Sequence, residues 1–197
     1  MEVSIDEIKE GTNVAFAQGG FIGPVLSTVL CAFDPTWRKV KPKFWHVGFI
    51  VERKTILKAM KKNPAILDFC DGDPSCMCGF CEWWICESLS NGISLTPLSK
   101  YDPAKLRFFN IIKKQPTHDK VAEYLADFVG RPYDVLVYFW NVGAELLEKI
   151  GIKLGCWNNL SFMCWENLST FMSYIDEPIV TDYEHIMCSD FAKAWSI

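Results

Sequence analysis

The chain has 197 residues, half of them hydrophobic, and a net charge of -4. This size suits one globular domain over residues 1–197. An acidic balance with no basic block argues against nucleic acid as a partner. Fourteen Phe, eight Trp and six Tyr can fill a sizeable core or line a groove for an apolar ligand.

The N-terminus, "MEVSIDEIKEGTN", is acidic and lacks the charged-then-apolar pattern of a signal peptide. Ser4 and Glu7 fit a short capping box, with Gly11 as a stop. "NVAFAQ" (13–18) alternates as a strand does, and Gly19 and Gly20 break it. The apolar run "FIGPVLSTVLCAF" (21–33) falls short of the roughly 20 residues a spanning helix needs. It reads as a buried or groove-lining helix. "DPTWRKVKPK" (34–43) is a polar loop with two prolines. "FWHVGFIVE" (44–52) is rich in aromatic and β-branched residues and reads as a strand.

"RKTILKAMKKNP" (53–64) is basic and fits no single pattern, and "AILDFC" (65–70) reads as a strand. A compact insert of turn residues and thiols follows, "DGDPSCMCGFC" (71–81). "EWWICES" (82–88) is a strand, "NG" at 91–92 a turn and "ISL" the start of the next strand. "KLRFFNII" (105–112) is a further strand. The character then changes. "THDKVAEYLADFVG" (117–130) has apolar residues at helical spacing, Thr117 as N-cap and Gly130 as stop. "RPYDVLVYFWNVGAELLEKIG" (131–151) and "FMCWENLSTFMSYI" (162–175) read as two more helices. Charges within 131–151 make it an amphipathic packed helix rather than a membrane span. The tail ends in a short helix at "SDFAKAW". Strands first and helices later give an α+β architecture, an antiparallel sheet packed against helices.

Nine cysteines without an export signal point to a reducing, cytoplasmic setting. The thiols are then free, metal ligands or a nucleophile. N-x-S matches at Asn159 and Asn167 are read as chance. Within residues 70–86, Cys70, Cys76, Cys78 and Cys81 show C-x-C and C-x-x-C spacings that suit tetrahedral zinc. A hairpin tip with free thiols is the other reading. Cys86 adjoins Glu87, and neighbouring strand residues face opposite ways. If Glu87 enters a site, Cys86 points away from it.

His46 lies alone among apolar residues, either as a core histidine or as a catalytic base. Cysteine–histidine catalysis needs a thiolate, a base and a polar group that orients the base. Cys164, at the start of a helix, is the candidate nucleophile, since the partial positive charge there favours a thiolate. Glu87 can hold the other imidazole nitrogen and raise the basicity of the ring. His118 and His185 lie in polar stretches and read as surface residues.

The order of these residues resembles that of the circularly permuted papain-like hydrolases of the NlpC superfamily, especially the YiiX-like branch. Lecithin:retinol acyltransferase-like proteins are a related group. "FWHVGFIVE" is similar to their "s-H-V-G-I-V" strand. "CESLSNGISLTPLSKY" resembles their strand ending in Glu, then a Gly-Val or Gly-Ile step, a Leu and an aromatic. "VGRPYD" resembles their "G-x-x-Y-D" turn, "FMCWEN" their "Y-C-S-E" nucleophile motif and "IKEGTNVAFAQGG" their first strand. The similarity runs from about residue 5 to residue 175. Asn13, Trp165 and the cysteine-rich insert depart from the family pattern.

The resemblance implies a permuted papain-like fold, with an antiparallel sheet or barrel against a helical bundle that carries the nucleophile. It implies Cys164 as nucleophile, His46 as base, Glu87 as its orienting partner and Tyr133 as an oxyanion donor beside the Cys164 amide. A packed turn tyrosine is the other reading of Tyr133. Glu166 reads as helix-start electrostatics. The expected activity is hydrolysis or acyl transfer at an amide or ester bond, without a catalytic cofactor. The substrate would be acylated, lipid-like or peptidic. The alternative is an inactive member of the fold, a structural or interaction module of the kind found in virus or phage particles.

Overall fold

The fold comes from a computed structural model, which describes residues 1–16, 46–72, 82–132, 147, 151–152 and 164–178. The architecture is α+β. Six strands form one sheet: β1 Glu2–Val3, β2 Asn13–Phe16, β3 His46–Glu52, β4 Trp83–Leu89, β5 Gly92–Pro97 and β6 Leu106–Phe109. Their order is β1-β6-β2-β3-β4-β5, and every neighbouring pair is antiparallel. Among the described residues, three continuous α-helices accompany the sheet: α1 Arg53–Lys62, α2 His118–Phe128 and α3 Cys164–Tyr174. Among the described residues, no helix is long and apolar enough to cross a membrane.

Strand alternation sorts the core into two layers. Val47, Phe49 and Val51 of β3 share one layer with Trp84 and Cys86 of β4 and with apolar residues of all three helices. Val14, Phe16, Ile50, Ile85 and Phe108 form the second layer on the opposite face. The helix-side layer is built around aromatics. Phe49 stacks on Phe171 of α3 with ring centroids 3.6 Å apart, and Tyr124 of α2 meets both rings edge-on. Each such fully buried side chain contributes roughly 1.5–3 kcal/mol from desolvation alone, which fixes α3 against the middle of β3.

Several expectations need correction. The ambiguous basic stretch is a helix, α1, whose Thr55, Ile56 and Ala59 are buried while its lysines face water. Residues 65–70 are not a strand. Asn63 caps Ala65 N–H, Pro64 follows it, and residues Pro64–Phe69 wind into a 3-10 turn with only Ile66 buried. Strand 105–112 is confined to Leu106–Phe109. At the N-terminus, Glu7 accepts from the Ser4 amide at 2.9 Å and the Ser4 hydroxyl at 2.8 Å, around a 3-10 turn at Ile5–Glu7. The Thr117 cap of α2 is present, its hydroxyl accepting from Lys120 N–H. The expected helices at 21–33 and in the tail lie outside the described residues, as does nearly all of the one at 131–151.

β4 and β5 form a hairpin in which Leu89 pairs with Gly92. Gly92 has φ +114, and a Cβ there would lie 2.5 Å from the Arg131 carbonyl oxygen. This close approach lets residues 130–131 line the free side of β5. Ile93 N–H donates to Arg131 O, Gly130 N–H to Ile93 O and Asp71 N–H to Leu95 O.

Gly48 faces Glu87 across the β3–β4 ladder. A Cβ at Gly48 would sit 2.6 Å from the Cys86 carbonyl oxygen and 2.9 Å from Ile85 Cγ2. The carbonyl oxygen cannot yield without opening the ladder. Gly48→Ala is expected to destabilise the protein by about 1–3 kcal/mol, measured as a lower urea midpoint at unchanged slope.

Candidate active site

His46 is the first residue of β3 and Glu87 lies in β4. Glu87 is fully buried. Its neighbours Ile85 and Phe16 belong to the second core layer, so its carboxylate projects from a largely apolar face. Two groups meet that carboxylate. His46 Nε2–H donates to Oε2 at 2.7 Å, and the Tyr101 hydroxyl donates to Oε1 at 2.5 Å. Tyr101 follows a 3-10 turn at Leu98–Lys100, which carries its ring back over the sheet. The Phe16 ring packs against both partners, 4.7 Å from the His46 ring and 5.0 Å from that of Tyr101. The imidazole is thus held in its plane by the carboxylate and across its face by Phe16.

Cys164 opens α3 and is buried. Its thiol lies near enough to His46 to act on the charge of the imidazole. With Nε2 committed to Glu87, Nδ1 is the nitrogen left for the sulfur. Burial opposes a charged imidazole at His46. The nearby Cys164 and the hydrogen-bonded Glu87 outweigh it and raise the pKa from 6.5 to about 10. Helix α3 is itself anchored near its start. The buried Tyr124 hydroxyl donates to the Asn167 backbone carbonyl at 2.9 Å and to its side-chain oxygen at 2.7 Å. Asn167 is fully buried, in keeping with a chance sequon.

Cys86 behaves as alternation requires. It lies in the helix-side layer, opposite Glu87, and burial pushes its thiol well up. It is therefore a poor nucleophile. Cys70 is half-buried, and its thiol donates to Ile66 O at 3.4 Å. Cys76, Cys78, Cys81, Tyr133 and His185 lie outside the described residues, so the zinc set and the oxyanion tyrosine do too. Asn13, one of the departures from the family pattern, is buried and donates to Gly11 O at 3.1 Å.

The structure therefore brings together three of the sequence-derived residues, Cys164, His46 and Glu87. It adds Tyr101, which sequence reasoning did not single out. Its signal was present as the aromatic that closes "CESLSNGISLTPLSKY". His118 is at the surface as expected, yet it is engaged: its Nδ1 pairs with the buried Glu10. No family model, no curated protein and no solved structure matches the chain.

The causes acting on His46 have opposite signs, and this is open to measurement. Imidazole NMR is expected to give a midpoint near 10 in the wild type. Cys164→Ala and Glu87→Gln should each lower it. In the double variant only burial remains, so the midpoint should fall below 6.5, the ordinary histidine value.

Proposed function

We propose that the chain is a cysteine hydrolase of amide or ester bonds, with a permuted papain-like fold of the kind its motifs resemble. One observation carries this reading: His46 is bonded to the buried Glu87 carboxylate at 2.7 Å, and the Cys164 thiol at the start of α3 is near enough to act on the same imidazole. A core histidine needs a single partner, and a structural cysteine needs none. Here an imidazole is clamped by a buried carboxylate and aimed at a thiol on a helix start, which is the arrangement a covalent thiol mechanism needs.

In this scheme His46 takes the Cys164 thiol proton, which leaves an imidazolium beside a thiolate. The sulfur attacks the substrate carbonyl, and the oxyanion forms near the Cys164 backbone N–H at the first described residue of α3. The carbonyl bond to nitrogen or oxygen breaks, and the His46 proton goes to the leaving group. His46, now neutral, takes a proton from water as the hydroxyl adds to the thioester. The C–S bond then breaks, releasing the acid and restoring the thiolate. Glu87 keeps the ring oriented throughout, and Tyr101 keeps Glu87 in place. Acylated, lipid-like or peptidic substrates all present such a carbonyl. Zinc on the 70–81 thiols would be structural in this scheme.

Incubation with short acyl p-nitrophenyl esters and dipeptide amides tests the proposal. The expected result is an acyl-thioester on Cys164 by mass spectrometry, absent in Cys164→Ala. His46→Ala should lower turnover by about 10²–10⁴-fold. Acylation that persists at Cys31 or Cys81 in the Cys164→Ala protein would refute the assignment.

A further inference from the structure

At the other end of β3 from His46, a second polar cluster gathers residues from three elements. Glu10 precedes β2, in a turn pinned to β3 by Gly11 N–H donating to Ile50 O at 2.7 Å. Glu52 is the last residue of β3, and His118 is the first of α2. One ligand atom from each lies within 4.8 Å of the others. Glu10 is 1% exposed, so its carboxylate has given up nearly all contact with water. Its compensation comes from the Thr55 hydroxyl, the Glu52 amide and His118. The Glu52 amide donates to Oε1 at 3.3 Å, and Oε2 meets the half-exposed His118 Nδ1, which also lies 3.0 Å from the Thr55 hydroxyl.

We propose that Glu10, Glu52 and His118 bind a divalent first-row metal cation. Two carboxylates and one imidazole form a hard-to-borderline donor set that suits Mn²⁺ or Zn²⁺ rather than a soft ion. Metal–ligand bonds of about 2.0–2.2 Å hold donors roughly 3–4 Å apart. The ion enters between Glu10 and His118 and replaces the Nδ1 proton, while the Glu52 side chain turns inward to complete the set. Three protein donors leave the remaining positions to water. Access is through an adjoining cleft of about 380 Å³ lined by Glu52, Arg53, Lys54, Leu57 and Glu82. The Lys54 ammonium now pairs with Glu52. It is the cation a metal ion would displace.

The site is separate from the thiol site. The seven residues of β3, at about 3.3 Å each, put its two ends roughly 20 Å apart. Bound metal would tie β2, β3 and α2 together without entering the Cys164 chemistry.

Mn²⁺ is the probe, because thiolates at residues 70–81 and at Cys164 prefer softer ions. Titration of the chelator-treated full chain, followed by loss of the free-ion EPR signal, should give one bound Mn²⁺ per chain in the wild type and in Cys164→Ser. Glu52→Gln and His118→Asn, both at partly exposed positions, should each weaken binding by about tenfold or more. Lys54→Met should tighten it. The thermal midpoint should rise with Mn²⁺ in the wild type and stay fixed in Glu52→Gln. The proposal is overturned if the wild type takes up no Mn²⁺ at millimolar metal, which would leave Glu10–His118 as an ion pair only. It is equally overturned if Glu52→Gln and His118→Asn bind Mn²⁺ as the wild type does.

Discussion

The carboxylate of Glu87 governs how this molecule is arranged. A charge with no exposure, set on an apolar sheet face, costs several kcal/mol unless both of its oxygens are met. The chain supplies one partner from the start of β3 and another from the turn after β5, and Phe16 braces both rings. Those partners are far apart in sequence. They meet only if β3, β4 and β5 hold their register, so the buried charge and the sheet each depend on the other. A slip of one residue would turn Glu87 toward the helices and His46 away from it.

The opposite face solves a different problem, that of holding a helix end still. Stacking of Phe49 on Phe171 sets how far α3 stands from the sheet, and the Tyr124–Asn167 bonds set its position along its own axis. With both fixed, Cys164 has little freedom about where its sulfur lies. Reactive groups held by rigid elements spend little free energy on ordering themselves when a substrate arrives. The placement of the thiol near the imidazole is in this sense a product of aromatic packing on one side of the sheet and charge burial on the other.

The parts legible in the sequence were those with local signals. β3 announced itself through "FWHVGFIVE", and α2 through Thr117 and its apolar spacing. The pairing of His46 with Glu87 was legible because residue type and chain order pointed the same way. Other features had no local signal. α1 hides its buried stripe of Thr55, Ile56 and Ala59 among five basic residues. The run at 65–70 looks like a strand in hydrophobicity, but Asn63 and Pro64 impose a turn. Tyr101 reaches Glu87 by way of a 3-10 turn, and Glu10 meets His118 across more than a hundred residues. Neither contact follows from any periodicity.

A six-stranded open sheet has two outer strands, and a chain this apolar has reason to guard them. On one side β1 is only two residues long, with Glu2 paired to Arg107 at 2.9 Å. On the other, the backbone bonds from Asp71, Gly130 and Arg131 occupy outward-facing groups of Ile93 and Leu95. Among the described residues neither edge therefore offers a long unpaired ladder on which a second molecule could add a strand. Gly92, by letting residues 130–131 come close, covers part of the β5 edge as well as shaping its own hairpin.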